Sequence, residues 1–105
     1  MVEQELPVVV IGAGPVGLAA AAHLRSRGLT PLVPESGEVG AAIGEWGHIR
    51  TFTPWRYVVD PTAAGLLTAA GHVVPAGDLP PTGTEIVAHY LRPLAHALGP
   101  GVVRT

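Results

Sequence analysis

The 105 residues are enough for one small domain and too few for two independent ones. Hydrophobic residues make up 48% and charged residues 13%, which excludes a chain kept disordered by charge repulsion and calls for a buried core. The net charge of −2, with six arginines and no lysine, leaves no basic stripe for a nucleic-acid backbone, and the absence of cysteine removes disulfides, thiolate metal sites and a dithiol redox pair from this segment.

Pro7 to Ala22 is apolar or small almost throughout, but Glu3 and Glu5 precede it where a secretory leader is basic. It is also shorter than the roughly 20 apolar residues that cross a bilayer and contains glycines and a proline. No leader and no membrane span are expected, and a cytoplasmic protein follows.

Within that stretch, Pro7 to Ile11 is short, apolar and β-branched, the pattern of a strand buried on both faces of a parallel sheet. Pro15 to Arg27 is Ala-rich, has proline in its first turn and basic residues in its last, and stops at Gly28, so it predicts a helix with both ends signalled. Leu29 to Pro34 is a second apolar run ending at Glu35, which completes a βαβ unit with parallel strands.

From Ser36 to Pro61 no period is sustained, and glycines alternate with Trp46, Phe52, Trp55 and Tyr57, which predicts a long loop. Pro61 to Ala70, between Asp60 and Gly71, reads as a short helix weakened by Gly65. After a proline-rich loop, Thr82 or Thr84 can cap a last helix to about Leu98, with Ile86, Tyr90, Leu94 and Ala97 near one face and a kink expected at Pro93. Val102 to Thr105 starts a third strand. The expected organisation is one partial domain: a βαβ unit over 1–35, a loop with a short helix over 36–81, and a helix with the start of the next strand over 82–105.

Gly12, Gly14 and Gly17 form GAGPVG between a strand and a helix, which is the context that gives a GxGxxG pattern meaning. Gly12 serves the tight turn, Gly14 the approach of a pyrophosphate, and Gly17 the close packing of helix on strand, so a side chain at any of them is expected to collide. The helix N-terminus then holds the diphosphate through N–H groups and dipole, without a basic side chain. Ala21 and Gly28 extend the pattern. Glu35 ends the second strand at about the 20-residue spacing of an acid that accepts from ribose hydroxyls and repels a 2′-phosphate.

These residues, within VVVIGAGPVGLAAAAHLRSRGLTPLVPESGEVGAAIGEWGHIRTFTPWRYVVDP, resemble the N-terminus of FAD-dependent, NAD(P)-binding oxidoreductases, and most of all flavin-monooxygenase-like proteins. The resemblance implies an α/β, Rossmann-like, doubly wound three-layer sandwich, incomplete in this chain. It assigns the ADP half of FAD to Gly12, Gly14, Gly17 and Glu35, with Pro15 and Val16 beside the pyrophosphate and Ser36 beside the adenosine ribose. Gly40 and Ala41, in EVGAAI, correspond to a second glycine stretch near the flavin's phosphate or ribityl chain. Trp46, Arg50 and Trp55 become candidates for the isoalloxazine, with core filling as the alternative for each. Pro34 stands where the family has an apolar non-proline residue, and Ala41–Ala42 where relatives often have Gly-Gly. A second fingerprint for NAD(P)H, the expected co-substrate, and a later Gly-Asp segment are not among these residues.

Of the five histidines only His89 and His96 are spaced to share a helix face, Asp78 and Glu85 read as loop and helix-start residues, and no metal site is expected. No GxSxG elbow is present. Two other readings stay open: an NAD-linked dehydrogenase domain, against which the long loop after Glu35 argues, and a non-catalytic nucleotide-binding module. Roughly half the strands of such a sheet are absent, so self-association or docking to a C-terminal part is expected.

Overall fold

A computed structural model describes residues 6–105; Glu3 and Glu5, on which the argument against a leader rests, lie outside them. The chain folds as β1 (Val8–Val9), α1 (Pro15–Ser26), β2 (Pro31–Pro34), α2 (Ala41–Gly44), α3 (Trp55–Val58), α4 (Pro61–Ala69), α5 (Gly83–Ile86), a π turn (Val87–Leu91), α6 (Arg92–Ala97) and β3 (Val103–Arg104). The strands form a parallel sheet in the order β1-β2-β3, with Val8 opposite Pro31 and Val33 opposite Val103. No helix among the described residues is long and apolar enough to cross a membrane.

The βαβ unit forms where the sequence places it. Pro15 starts α1, where its missing N–H costs nothing, and Gly28 follows the helix at a φ of +77°, a left-handed turn that favours glycine. The ladder continues past the two-residue strand β1, because the N–H groups of Val10 and Gly12 donate to the carbonyls of Leu32 and Pro34 at 2.8 and 3.0 Å. Pro34 does not cut β2 short: it is the last residue, Pro31 is the first, and a ladder tolerates proline at such ends.

Strand β1 is not buried on both faces as its composition suggests. Val9 is 54% and Ile11 80% exposed, and among the described residues β1 pairs with β2 alone and is also an edge. The apolar run encodes a strand that expects neighbours on each side, and here one side is bare.

The core lies between α1, β2, α4 and the last helical segment, where Leu18, Ala21, Val33, Leu67, Tyr90, Leu91, Leu94 and Leu98 are buried in one cluster. Helix α4 begins at Asp60, whose side chain accepts from the Ala63 N–H at 3.0 Å. The same carboxylate meets His23 Nε2 of α1 at 3.0 Å, and the Asp60 N–H donates to the Tyr90 hydroxyl at 3.1 Å, so one residue ties three elements together. Burial alone would raise the Asp60 pKa, but the His23 and Ala63 hydrogen bonds hold it below the ordinary value.

One expectation changes. The segment from Ser36 to Pro61 is not a continuous loop, since α2 and α3 each form a single turn too short to leave a periodic signature. The final helix, capped by a Thr82–Glu85 capping box, meets Pro93 with a widened turn just before it. The Arg92 N–H donates to the Val87 carbonyl five residues back, just before the proline that has no N–H to offer.

Of the three fingerprint glycines, only Gly17 leaves no room for a side chain: a Cβ there would lie 1.9 Å from the Gly12 carbonyl oxygen. Gly12 is required by its φ of +94°, and a Cβ on Gly14 would meet nothing within 4 Å. Gly65 also has open space around it and an ordinary helical setting in α4. The same substitution therefore has opposite expected signs: Gly17→Ala lowers the denaturation free energy by about 1–3 kcal/mol through overpacking, whereas Gly65→Ala raises it by about 0.5–1 kcal/mol. Urea titrations followed by circular dichroism measure both, and a neutral Gly17→Ala would contradict the close helix–strand approach.

Candidate functional site

The amino end of α1 is capped by no side chain. Its N-cap is Gly14, no acidic residue stands in the first turn, and the first intrahelical bond is given by the Leu18 N–H to the Gly14 carbonyl at 2.9 Å. The N–H groups of Val16 and Gly17 precede that bond and have no intrahelical partner, while Pro15 contributes none. The helix dipole adds partial positive charge at this uncompensated end, an arrangement suited to an anion.

Cavities lie on both sides of this turn. One, of about 470 Å³, opens at the carboxyl ends of the three strands and is lined by Gly12, Glu35, Ser36 and Arg104, among others. The other, of about 590 Å³, is predominantly apolar and is lined by Pro15, Ile43, Trp46, Ile49, Arg50 and Phe52, among others. Gly12 lines the first and Pro15 the second, so the glycine turn stands between a chamber that carries the Glu35 carboxylate and one that carries the Trp46 indole.

Glu35 does more than its position in the sequence indicates. Its Oε1 accepts the Ala13 N–H at 2.8 Å and its Oε2 the Gly37 N–H at 2.9 Å. The Ala13 carbonyl in turn accepts from the Gly40 N–H at 2.9 Å. The backbone of the buried Ala13 is thus held from both ends, and the carboxylate fastens the glycine turn to the segment after β2. Each carboxylate oxygen keeps a further lone pair for a ligand hydroxyl.

The remaining predicted positions separate into groups. Ser36 is exposed on the wall of the chamber that carries Glu35. Gly40 is buried with a φ of +71°, and a Cβ there would lie 2.9 Å from side-chain atoms of Val87 and Leu91, so it is a packing position as well as the donor to Ala13. Ala41 starts α2 and lines a different, shallow depression with Glu38 and Arg92. Val16 is exposed at the turn.

Trp46 and Arg50 come together in the apolar chamber, but Trp55 does not join them. It packs against the core and lines a separate cavity with His72, His89 and Pro93. Arg50 is held by the Pro80 carbonyl at 2.6 Å and lies 3.5 Å from Glu85, which pins the loop to the start of α5. Gly83 lets the start of α5 approach the end of α2, since a Cβ there would lie 2.5 Å from the Ile43 carbonyl oxygen. Sequence reasoning passed over Ile43, Phe52 and Arg104, which long-range folding brings to a cavity, and Gly83, which it brings against Ile43; nothing in their local pattern signals either.

The two backbone hydrogen bonds, first that of Ala13 and then that of Gly37, hold the Glu35 carboxyl below the usual glutamate range. A pKa depressed by folding adds stability that is present above the unfolded-state pKa and is lost as pH falls through the folded value. In an NMR pH titration the Ala13 and Gly37 amide resonances should move together with a midpoint below the usual glutamate range, and Glu35→Gln should abolish that step. Resonances insensitive to pH below 5, roughly the unperturbed carboxyl range, would show that the clasp does not form in solution.

No curated protein matches the chain. Among solved structures, it is similar to the bacillithiol disulfide reductase Bdr (YpdA) from Staphylococcus aureus, with a TM-score of 0.63 and 20% sequence identity. The likeness covers 98% of this chain and 29% of that one, so the residues described here span less than a third of that structure's length. At this identity it shows the fold: α/β with a parallel sheet, of the Rossmann-like kind. The sequence from residue 9 to residue 96 matches the family described as pyridine nucleotide-disulphide oxidoreductase, and the chain belongs to that family.

Proposed function

We propose that this chain is the FAD-binding N-terminal part of an NAD(P)H-dependent flavoprotein oxidoreductase. The observation that carries the reading is the uncapped amino end of α1 standing between a chamber with an ionised carboxylate and an apolar chamber with an indole. A molecule with a ribose at one end, a diphosphate in the middle and a fused ring at the other fits that sequence of environments. The residues pass the test of fit at the centre as well, because the space above Gly14 is open.

Each part then has a task. The Val16 and Gly17 N–H groups take the diphosphate, with Gly14 allowing the close approach. Glu35 accepts from the ribose hydroxyls with its remaining lone pairs and disfavours a 2′-phosphate by charge. Ile43, Trp46, Ile49 and Phe52 shield the ring end from water, and Arg50 supplies a cation at that wall. When bound, FAD supplies a carrier that accepts a hydride from NAD(P)H; the protein's own contribution is binding, orientation and exclusion of solvent.

The acceptor of those electrons divides two readings. The resemblance of the segment around Trp46 and Arg50 to flavin monooxygenases favours oxygen or an organic substrate. The solved relative is a disulfide reductase, which favours a disulfide. With no cysteine in its 105 residues, this chain offers no thiol for exchange, so any disulfide would be reduced without a dithiol from these residues. We favour the monooxygenase-like reading for a cytoplasmic protein.

Calorimetric titration of the chain with ADP and with FAD tests the site. Gly14→Val, whose Cβ meets no protein atom within 4 Å, should weaken both ligands by about tenfold or more by blocking the diphosphate. Glu35→Ala should weaken both, and Trp46→Ala should weaken FAD while leaving ADP unchanged. Unaltered affinity in both Gly14→Val and Glu35→Ala would remove the reading.

A further inference from the structure

We propose that a second ligand site, apart from the two chambers at α1, lies in the cavity beside the π turn and takes a planar aromatic alcohol. The cavity, of about 360 Å³, is lined by Trp55, His72, Pro75, Ala88, His89 and Pro93, among others, and shares no lining residue with either chamber. It is of a size that holds a small organic molecule. The inference is independent of the nucleotide reading above.

The π turn leaves one backbone acceptor without a donor. In a regular helix the Ala88 carbonyl would accept from the N–H of Arg92, but that N–H goes to Val87. The next N–H in line would belong to residue 93, which is proline and has none. The Ala88 carbonyl is therefore directed along the helix towards Pro93 with no intrahelical partner, and Ala88 and Pro93 both line the cavity. Widened turns of this kind are frequent at functional sites. The neighbouring His89 is exposed, and among the described residues no ion pair holds its ring.

The chemistry of the walls sets the ligand class. Trp55 brings an indole and Pro75 and Pro93 bring apolar rings, which suit a flat aromatic body. No carboxylate and no arginine lines the cavity, so nothing there balances a ligand charge and a neutral molecule is favoured. A hydroxyl is both donor and acceptor: it donates to the Ala88 carbonyl and accepts from the ring N–H of neutral His89. His72 is wall rather than partner, since its ring stands edge-on to that of His96 with centroids 5.5 Å apart and its Nε2 is closed off from solvent.

The test titrates the whole chain, folded by circular dichroism, with β-naphthol and with its methyl ether, and follows the indole N–H resonances by NMR; Trp55 reports this cavity and Trp46 the apolar chamber. β-Naphthol should shift the Trp55 signal, and the ether, which cannot donate, should bind about fivefold or more weakly, the order expected for one hydrogen bond to an otherwise unpaired acceptor. Pro93→Ala provides an N–H at that position, so the Ala88 carbonyl gains a donor from it or, in a regular helix, from Arg92. This variant should lose a similar factor in β-naphthol affinity, as should His89→Leu at an exposed position. Failure of β-naphthol to bind, a shift confined to Trp46, equal affinity for alcohol and ether, or unchanged affinity in Pro93→Ala would each overturn the proposal.

Discussion

A Cβ placed on Gly17 would lie 1.9 Å from the carbonyl oxygen of Gly12, so helix α1 rests directly on the backbone at the end of β1. That approach aims the first turn of α1 at the space above the strand ends. It also brings Ala13 between two fixed partners, the Glu35 carboxylate and the Gly40 N–H. If the helix stood farther off, its amino end would not form the wall between the two chambers. The rest of the site is arranged around this contact.

The second half of the chain acts as a brace for that geometry. Gly40 packs against Val87 and Leu91, Gly83 against Ile43, and Arg50 against the Pro80 carbonyl. Each contact joins the segment after β2 to the last helix or to the loop that leads into it, and Trp46 and Phe52 come to line the apolar chamber. The π turn has a related consequence: by moving the hydrogen-bond pattern back to Val87, it accommodates Pro93 while Tyr90, Leu91 and Leu94 remain buried. A proline that would otherwise break the brace is absorbed within it.

The edge at β1 marks the boundary of what these residues organise. Val8, Val9 and Ile11 have strand chemistry suited to neighbours on both sides, and the described residues supply one. The solved relative is more than three times as long as the part matched here. The chemistry assigned to this chain is therefore that of holding a cofactor.

Read alone, the sequence determined the elements whose signals are local. The β-branched run, the glycine turn, Pro15 at the helix start, Gly28 at its end and the spacing to Glu35 are short-range features, and a βαβ unit follows from them. Asp60, and Thr82 or Thr84, marked the starts of their helices for the same reason, since a cap acts within one turn, and the structure takes Thr82 as the cap. Single-turn helices such as α2 and α3 were not legible, because four residues are too few to establish a period. Nor were the double role of Glu35, the separation of Trp55 from Trp46, or the place of Arg104. These depend on contacts between residues far apart in the chain, and only the packing of α5 and β3 against the first unit decided which side chains share a cavity.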